Sequence, residues 1–389
     1  MNRMTRGVVA PLIALTLIGA ACTSDDDSGS DTAPAGTAGT DAPEETTAPE
    51  ETTAPDDTVE VVQSDESKLD AVQSAGVFKC GTRDALAGFA TLDESGEHVG
   101  FDSDFCRVIA AAVLGDATAV EMVDLETDAR FTALQSGEVD ALVRNTTWTA
   151  TRDGNEGATF LQPTFYDGQG MMVASDSGFA SIEDMDNVII CVAQGTTSEG
   201  NAATEAAKRG LTWEVRPFES TDLIQEAFVA GQCDGWSSDV SQLEGLRSVY
   251  PAGSDALTVI EVSDGVPEVF SKEPLAPAVA DGDTKWAQAV NWAIFATIQA
   301  EEFGITSENV DTFEGTADPA IQKFLGQVVE GDAVLDPGLG LPTDFAYQVV
   351  KQVGNYGEIF ERNLAPLGLE RGLNALWTDG GLIYAPPYK

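Results

Sequence analysis

Apolar positions along the chain follow two periods in turn, one typical of buried strands and the other of amphipathic helices. The segment SKLDAVQSAGVFKCGT predicts a short helix and a strand. The next predicted helix, capped by Asp102 or Ser103, has one apolar face, formed by Phe105, Val108, Ile109 and Val113. AVEMVDL and EVDALVRN predict two more strands, separated by a helix that ends at Gly137. Because βαβ crossovers are right-handed, this order predicts a parallel sheet with ligand chemistry beyond the carboxyl ends of its strands.

The same order of elements starts again near residue 180. A strand is predicted at 188–192, followed by the loop QGTTSEG and a helix, and TWEVRPF opens a second crossover. Residues 262–279 are extended and proline-rich, as a return connection would be, and 284–303 form a predicted helix whose aromatic residues suit core packing. The sequence therefore predicts an α/β protein with two lobes, each a mostly parallel sheet flanked by helices.

These elements give the predicted domain boundaries. Residues 66–175 and 268–330 form lobe 1, and 176–267 form lobe 2. Residues 331–389 exceed what two lobes need, and we expect a C-terminal helical extension packed on lobe 1. Its predicted helix has one buried side, formed by Phe345, Val349, Val353 and Phe360.

The N-terminus predicts export. Arg3 and Arg6 precede an apolar run too short for a stable membrane span, and small residues follow up to Cys22. Residues 1–22 resemble a bacterial lipoprotein signal peptide, which would leave Cys22 lipidated, although Gly19 stands where that pattern prefers Leu. Plain signal cleavage is the alternative. Residues 23–65, with the near-repeat PEETTAPEETTAP, predict a disordered acidic tether rich in Pro and Thr.

The overall charge limits the partners. The formal net charge is −45, from 65 acidic residues and 20 Lys and Arg residues. Such a charge argues against nucleic acid and anionic lipid headgroups as partners, and it keeps a protein soluble and monomeric. Any anion that binds must therefore bind at a site whose local charge is positive.

Four cysteines remain after Cys22, and an even number in an exported protein suggests disulfides. Three connectivities are possible. We favour Cys80–Cys106 and Cys191–Cys233 because each pair then lies inside one lobe; four buried thiols are the alternative. A metal site is not expected, since no CxxC spacing occurs and the one histidine, His98, lies in the turn-like ESGEHVG. We expect no cofactor.

Several segments resemble, in order and spacing, the periplasmic solute-binding proteins that serve polar amino acid ABC transporters. They are GFDSDFC, FTALQSGEVDALVRNTTWTATRD, QGTTSE and AGQCDGWSSD. FYDGQG, SKEPLAPAV and the tail from GNYGEIFERNL onward look like the general L-amino acid-binding branch. The resemblance covers residues 67–389. It implies a type II periplasmic-binding-protein fold that closes on L-amino acids with broad specificity and delivers them to an ABC transporter permease.

The resemblance also implies roles for residues on both lobes. Arg152 matches the arginine that binds the ligand carboxylate, and Thr147 and the backbone at Asn145 match hydrogen-bonding positions just upstream. Hydroxyls suit a zwitterion because they donate or accept without adding charge. Alternatively, Arg152 is a surface arginine that caps a helix end.

On lobe 2, Thr197 matches the family's ligand threonine, and Thr196 lies beside it at a strand-to-helix turn that suits a carboxylate. An ordinary helix N-cap is the alternative for this pair. Asp239 matches the carboxylate that receives the ligand ammonium. With Arg152 and Asp239 on opposite lobes, the ligand would complete the charge pairing.

The specificity walls differ from those of basic-amino-acid relatives. Leu86 stands about where those relatives have an aromatic, and Phe89 is the nearest aromatic residue. Thr127 and Arg130 form the other expected wall, although Arg130 could equally be a solvated helix residue. These residues argue against tight stacking on a long cationic side chain and favour polar side chains.

Two other classes of function remain open. The fold resembles that of some periplasmic dehydratases. The sequence has few residues suited to nucleophilic catalysis, however, because there is no second histidine and no GxSxG elbow. A ligand-dependent sensor is the other class, and no transmembrane segment joins the chain to a cytoplasmic output region. The alternative interpretation of the C-terminal extension is a surface that faces the permease.

Overall fold

The computed structural model describes residues 67–263, 265–329 and 333–389. The expected signal peptide, the acidic tether and Cys22 lie outside the described residues. Within those three described ranges, no helix is both long and apolar enough to cross a bilayer.

The strands are β1 (Phe78–Thr82), β2 (Ala85–Leu86), β3 (Ala90–Leu92), β4 (His98–Val99), β5 (Val120–Asp124), β6 (Ala141–Leu142), β7 (Ala158–Phe160), β8 (Phe165–Asp167), β9 (Gln169–Ala174), β10 (Val188–Ala193), β11 (Trp213–Phe218), β12 (Gly235–Asp239), β13 (Leu257–Val259), β14 (Glu261–Ser263), β15 (Val266–Pro267), β16 (Glu273–Leu275) and β17 (Ala278–Ala280). The helices are α1 (Lys68–Ala75), α2 (Phe101–Leu114), α3 (Arg130–Ser136), α4 (Ala150–Asn155), α5 (Thr197–Arg209), α6 (Thr221–Val229), α7 (Val240–Ser248), α8 (Thr284–Glu302), α9 (Pro319–Phe324), α10 (Phe345–Gln352) and α11 (Tyr356–Asn363).

Two five-stranded sheets with the same plan form the two lobes. Lobe 1 has the order β5-β1-β6-β17-β7, and lobe 2 has β11-β10-β12-β9-β13. In lobe 1, β1 pairs in parallel with β5 and β6, and in lobe 2, β10 pairs in parallel with β11 and β12. The next strand in each order, β17 or β9, is antiparallel. The carboxyl ends of the parallel strands therefore lie along one edge of each sheet, where a ligand site is expected.

The fourth strand in the order of each sheet, β17 in lobe 1 and β9 in lobe 2, follows a stretch of chain that belongs to the other lobe. β9 pairs with β12 and β13, so it belongs to lobe 2, whereas the sequence predicts that lobe 1 continues to residue 175. That boundary is wrong because β9 pairs with strands that lie more than sixty residues further along the chain. The periodicity of apolar residues within a short segment gives no information about such a pairing. The chain crosses between lobes at β8 and β16, which pair antiparallel.

Apolar side chains cover both faces of each sheet. In β9, Met171 and Val173 join one core cluster and Met172 joins another, as the twofold alternation of a strand requires. The aromatic helix α8 lies in the largest cluster, with Trp286 and Ile294 fully buried. A fully buried side chain of this kind stabilises the fold by roughly 1.5–3 kcal/mol.

Helix α2 begins one residue earlier than its predicted caps. It starts at Phe101 after Gly100, whose φ of 127° favours glycine and where a Cβ would lie 2.3 Å from the carbonyl oxygen of Phe89. Asp102 does not cap the helix; its Oδ2 instead accepts a hydrogen bond from the backbone N–H of Asn145 at 2.8 Å. The helix start thus contributes a carboxylate to the sheet edge.

The C-terminal segment packs against α2 and α8. Phe345, Val349, Val353 and Phe360 are all buried. Two polar contacts also hold the segment in place. The Tyr356 hydroxyl donates to the carbonyl of Thr164 at 2.8 Å, and Arg362 forms an ion pair with Asp104 at 2.7 Å. These partners all belong to the first lobe or to the crossing that follows it.

Both favoured disulfides are present. Cys80 in β1 bonds to Cys106 in α2, and Cys191 in β10 bonds to Cys233 just before β12. Each bond closes a loop inside a single lobe, so the connectivity prediction is confirmed and the alternative of four free thiols is wrong.

Candidate functional site

A cleft lies where the sheet edges of the two lobes face each other. It has an empty volume of about 410 Å³. Lobe 1 contributes residues that follow β1, β5 and β6, and lobe 2 contributes residues at the ends of β10, β11 and β12. The site therefore lies beyond the carboxyl ends of the parallel strands, as the topology predicts.

Arg152 lines this cleft from the short helix α4. The Thr149 hydroxyl caps the helix by accepting from the backbone N–H of Arg152 at 3.2 Å. The Arg152 guanidinium donates to the carbonyl of Thr147 at 2.9 Å and to that of Gly195, on lobe 2, at 3.4 Å. Burial lowers the pKa of Arg152, and Glu273 and Asp239 act against that lowering. The Arg152 side chain is buried in the cleft, which argues against a surface capping role.

Three further arginines line the same cleft. Arg83 directly follows β1, and its guanidinium donates to the Asn145 side-chain oxygen at 3.4 Å and to the Thr221 hydroxyl at 3.3 Å. Arg144 follows β6 and donates to the carbonyl of Leu125 and to the Thr127 hydroxyl, both at 2.9 Å. Arg83 and Arg144 are absent from the predicted site, although their places directly after strands could have indicated them.

Arg130 and Thr127 lie together, as the sequence suggests. Arg130 is buried at the start of α3, and its guanidinium donates to the carbonyls of Thr127 and Gly195. Burial, followed by the charge of Arg152, lowers the pKa of Arg130 to about 9. Arg130 is thus a lining residue of the cleft and not a solvated helix residue.

Asn145 has a strained backbone at the centre of the cleft. Its φ of 32° is in the left-handed region, which costs a non-glycine residue on the order of 1 kcal/mol. The backbone N–H of Asn145 donates to the Asp102 carboxylate, so only the backbone carbonyl of Asn145 remains to bind a ligand. Burial raises the pKa of Asp102 to about 7, against the opposing effects of that hydrogen bond, Arg83 and Arg144.

Lobe 2 contributes hydroxyls and the start of α5. The Thr196 hydroxyl donates to the carbonyl of Ala193 at 2.6 Å and makes no cap hydrogen bond. The Thr197 hydroxyl donates to Glu273 at 2.8 Å and lies 3.5 Å from the hydroxyl of Thr147 on lobe 1. Helix α5 begins at Thr197, which lines the cleft, so the partial positive charge of the helix N-terminus lies at this wall.

Asp239 ends β12 and is buried in the cleft. Burial, then the nearby Asp167 and Glu273, raise the pKa of Asp239, while Arg152 and Arg83 lower it. A buried carboxyl that is crowded by other carboxyls gains from the arrival of a cation. Asp239 therefore offers a place for an ammonium group opposite Arg152.

Leu86 and Phe89 do not line the cleft, contrary to the expected specificity wall. Both are buried in the core, and Phe89 packs edge-to-face against Phe101 and Phe165. The reason is the β2–β3 pairing, in which Leu86 opposes Ala90 and which directs this loop into the core. Arg83 takes the place in the cleft that the sequence assigns to Leu86.

Comparison with known proteins gives the family of this chain. The family model for bacterial extracellular solute-binding proteins, family 3, matches residues 78–308. The chain belongs to this family.

The chain is similar to a general L-amino acid-binding periplasmic protein of Rhizobium johnstonii, with 44% identity over 324 residues, 82% of this chain and 92% of the relative. It is 42% identical over 327 residues to a glutamate/glutamine/aspartate/asparagine-binding protein of Rhodobacter capsulatus, covering 83% of this chain and 94% of the relative. A solved periplasmic binding protein of Brucella ovis with glutathione bound is 40% identical, with a TM-score of 0.79, and the match covers 83% of this chain and 100% of that chain. The two-lobed fold is thus that of a family 3 solute-binding protein.

Proposed function

We propose that this protein binds L-amino acids in the cleft and delivers them to the permease of an ABC importer. The observation that carries the proposal is the placing of Arg152 and Asp239 on opposite lobes of one buried cleft. The names of the two curated relatives, which bind amino acids, support the class of ligand.

The proposed binding mode assigns one charge of the ligand to each lobe. Arg152 takes the α-carboxylate, assisted by the hydroxyl of Thr147, and Asp239 takes the α-ammonium. The Thr197 hydroxyl donates its proton to Glu273, so its oxygen can accept from the ammonium. Burying either charge of a zwitterion alone is costly, so both partners must be present before the ligand is well bound. Binding therefore favours the closed arrangement of the lobes, and the ligand leaves unchanged when they open.

Contacts between the lobes suit closure on a small ligand. Hydrogen bonds of 3.3–3.5 Å join Arg83 to Thr221, Arg152 to the carbonyl of Gly195, and Thr147 to Thr197. These hydrogen bonds are long and few, so little is lost when the lobes separate.

Calorimetric titration of the purified, unfolded and refolded protein with each of the twenty L-amino acids tests this function. We expect several polar amino acids to bind and Arg152→Gln to abolish binding. Arg216→Gln is the matched control, because Arg216 is half-exposed on β11, outside the cleft, and pairs with Glu214. Heat release from none of the amino acids would contradict the proposal.

We also propose that the protein is exported, acts as a monomer and is anchored by a lipid on Cys22. Support comes from the apolar N-terminal run, the small residues before Cys22 and the acidic tether. Labelled fatty acid should enter the parent protein and not Cys22→Ser. Incorporation into neither would indicate plain signal cleavage.

A further inference from the structure

We propose that Arg83 and Arg144 form a second anion subsite in the cleft, which takes a carboxylate at the side-chain end of the ligand. The preferred ligands are then amino acids with a second acidic group, of the glutamate type. This inference rests on the proposed function, because it assumes that Arg152 and Asp239 hold the α-carboxylate and α-ammonium.

The first observation is a contrast among the arginines of the described residues. Arg107, Arg209, Arg216, Arg247, Arg362 and Arg371 all form ion pairs with carboxylates. Within the same described ranges, the four arginines of the cleft form no ion pair. Those four are also the more buried, with exposures of 8% for Arg83, 3% for Arg130, 6% for Arg144 and 9% for Arg152.

Acidic partners are abundant in this protein, so the missing pairs require an explanation. With 65 acidic residues against 20 Lys and Arg, a buried arginine without a carboxylate partner is the exception. Burying a guanidinium is costly unless its charge and its donors are matched. Four arginines and the one carboxylate of Asp239 line the cleft, so it holds an excess of positive charge that an anionic ligand can match.

The second observation is an unmet hydrogen-bonding capacity. The Nε–H groups of Arg83 and Arg130 are buried and have no acceptor among the described residues. A buried donor without a partner costs free energy that a ligand oxygen can recover. Arg83 also makes only two long hydrogen bonds, at 3.4 Å and 3.3 Å, so a carboxylate can displace them.

The contacts order the four arginines along the cleft. Arg152 and Arg130 both donate to the carbonyl of Gly195, at 3.4 Å. Arg130 also donates to the carbonyl of Thr127, whose hydroxyl accepts from Arg144, and Arg83 reaches Asn145 and Thr221. With the α-carboxylate on Arg152, the guanidinium groups of Arg83 and Arg144 are left for the other end of the ligand.

The space beyond this end is also suitable. A second cavity, with an empty volume of about 600 Å³, shares Arg83, Arg144, Thr127 and Thr221 with the first. Its remaining lining includes Asp84, Asp124, Glu126 and Asp222. A ligand carboxylate is therefore attracted to the arginines and repelled from the acidic mouth, which fixes its depth in the cleft.

An alternative role is purely structural, with Asp102 and Glu126 balancing Arg83 and Arg144 from a distance. Both carboxylates act on these arginines through space, and neither forms an ion pair with them. In this case the two arginines would support the fold without distinguishing a carboxylate from an amide.

Glutamate and glutamine provide the first test, because they have nearly the same shape and differ in this one charge. The intact protein should bind glutamate about 10- to 100-fold more tightly than glutamine, as expected for a charge-assisted hydrogen bond in a buried site. Equal affinities, or a preference for glutamine, would overturn the subsite while leaving the proposed function in place. Absence of binding by every amino acid would overturn both.

Variants then locate the preference. Arg83→Gln and Arg144→Gln should each weaken glutamate binding about 10-fold or more and weaken glutamine binding by a much smaller factor. Arg216→Gln, the control outside the cleft, should change neither dissociation constant. If each cleft variant weakens both ligands equally, the arginines are structural and the subsite assignment is wrong.

Should a variant fail to fold, the glutamate-to-glutamine ratio of the parent still decides the question. A length series sharpens it, because aspartate, glutamate and 2-aminoadipate place the second carboxylate at successive depths. We expect one length to bind best. Equal binding of all three would contradict a fixed subsite.

Discussion

The two walls of the cleft carry different chemistry on the same sheet plan. The wall of lobe 1 holds four buried arginines, whereas that of lobe 2 holds hydroxyls, the first amides of α5 and the carboxylate of Asp239. Each wall uses residues just beyond the parallel strands. The sheet therefore determines where the cleft-lining side chains lie, whereas the loops determine which charge each lobe presents to a ligand.

This separation of charge gives a physical reason for closure. Burial opposes the charged form on both walls, lowering the pKa of Arg152 and raising that of Asp239. A zwitterion matches both at once, whereas either wall alone would leave one ligand charge unpaired. The ligand thus stabilises the state in which the two lobes meet.

The largest effect should come from removing the charge of one wall. Arg152→Gln should weaken amino acid binding by about 4 kcal/mol, close to a thousandfold, because the ligand carboxylate would be buried without its cationic partner. Asp239→Asn should have a similar effect through the ammonium. Isothermal titration with the preferred amino acid measures both.

The melting temperature is the control for these variants. Both should stay near the parent's, since neither side chain forms an ion pair within the described part of the chain. If one variant loses binding and the other does not, the ligand's charges are not divided between the lobes as proposed.

The second effect concerns stability and compares the disulfides. The bonds link residues 26 and 42 apart in sequence, in lobe 1 and lobe 2 respectively. Removing either should lower the free energy of unfolding by about 3.5–4 kcal/mol, with the longer loop of lobe 2 giving the slightly larger loss in the chain-entropy model. Double Cys→Ala variants and scanning calorimetry test this.

Reduction of the parent protein provides the matching control. The reduced parent should melt at a lower temperature than the oxidised parent, whereas reduction should leave a variant with both pairs removed unchanged. A parent whose melting temperature is insensitive to reductant would argue against a structural role for either bond.

The third effect is a dependence of binding on pH that arises on lobe 2. Asp239 has a raised pKa, caused by burial, Asp167 and Glu273, while Arg152 and Arg83 oppose the rise. A bound ammonium favours the ionised carboxylate, so binding lowers this pKa and releases a proton. Affinity should therefore fall, by up to about tenfold per pH unit, once the pH drops below the pKa of ligand-free Asp239.

Proton release can be measured directly. Titration in two buffers of different ionisation enthalpy, at the same acidic pH, should give different apparent binding enthalpies. Identical enthalpies in the two buffers would show that no carboxyl in the cleft titrates on binding.

Much of this architecture could be predicted from sequence because it is local. The period of apolar residues predicts the parallel βαβ units, and the motif around Arg152 directs attention to the edge of the sheet where the cleft lies. The same rule, that ligand residues follow strands, could have indicated Arg83 after β1 and Arg144 after β6.

Each error arises from a strand pairing or a side-chain cluster, whether its members are near or distant in sequence. β9 belongs to lobe 2 because its partners β12 and β13 come much later in the chain. Leu86 and Phe89 lie in the core because of a short β-hairpin and an aromatic cluster that includes Phe165. Periodicity within a short segment contains neither piece of information.

The smallest effect should come from the hydroxyls that meet across the cleft. Thr147→Val on lobe 1 and Thr197→Val on lobe 2 keep the side-chain shape and remove one hydrogen-bonding group each. Thr197→Val should weaken binding more, by about 1 kcal/mol or roughly fivefold, because the Thr197 hydroxyl also donates to Glu273 at 2.8 Å. Glu273 would keep Asn201 and Ser271 as donors, so its carboxylate would be less well held but not unpaired. If Thr147→Val had the larger effect in the same titration, lobe 1 would contribute hydrogen bonds as well as charge, and the two walls would be more alike than their arginines suggest.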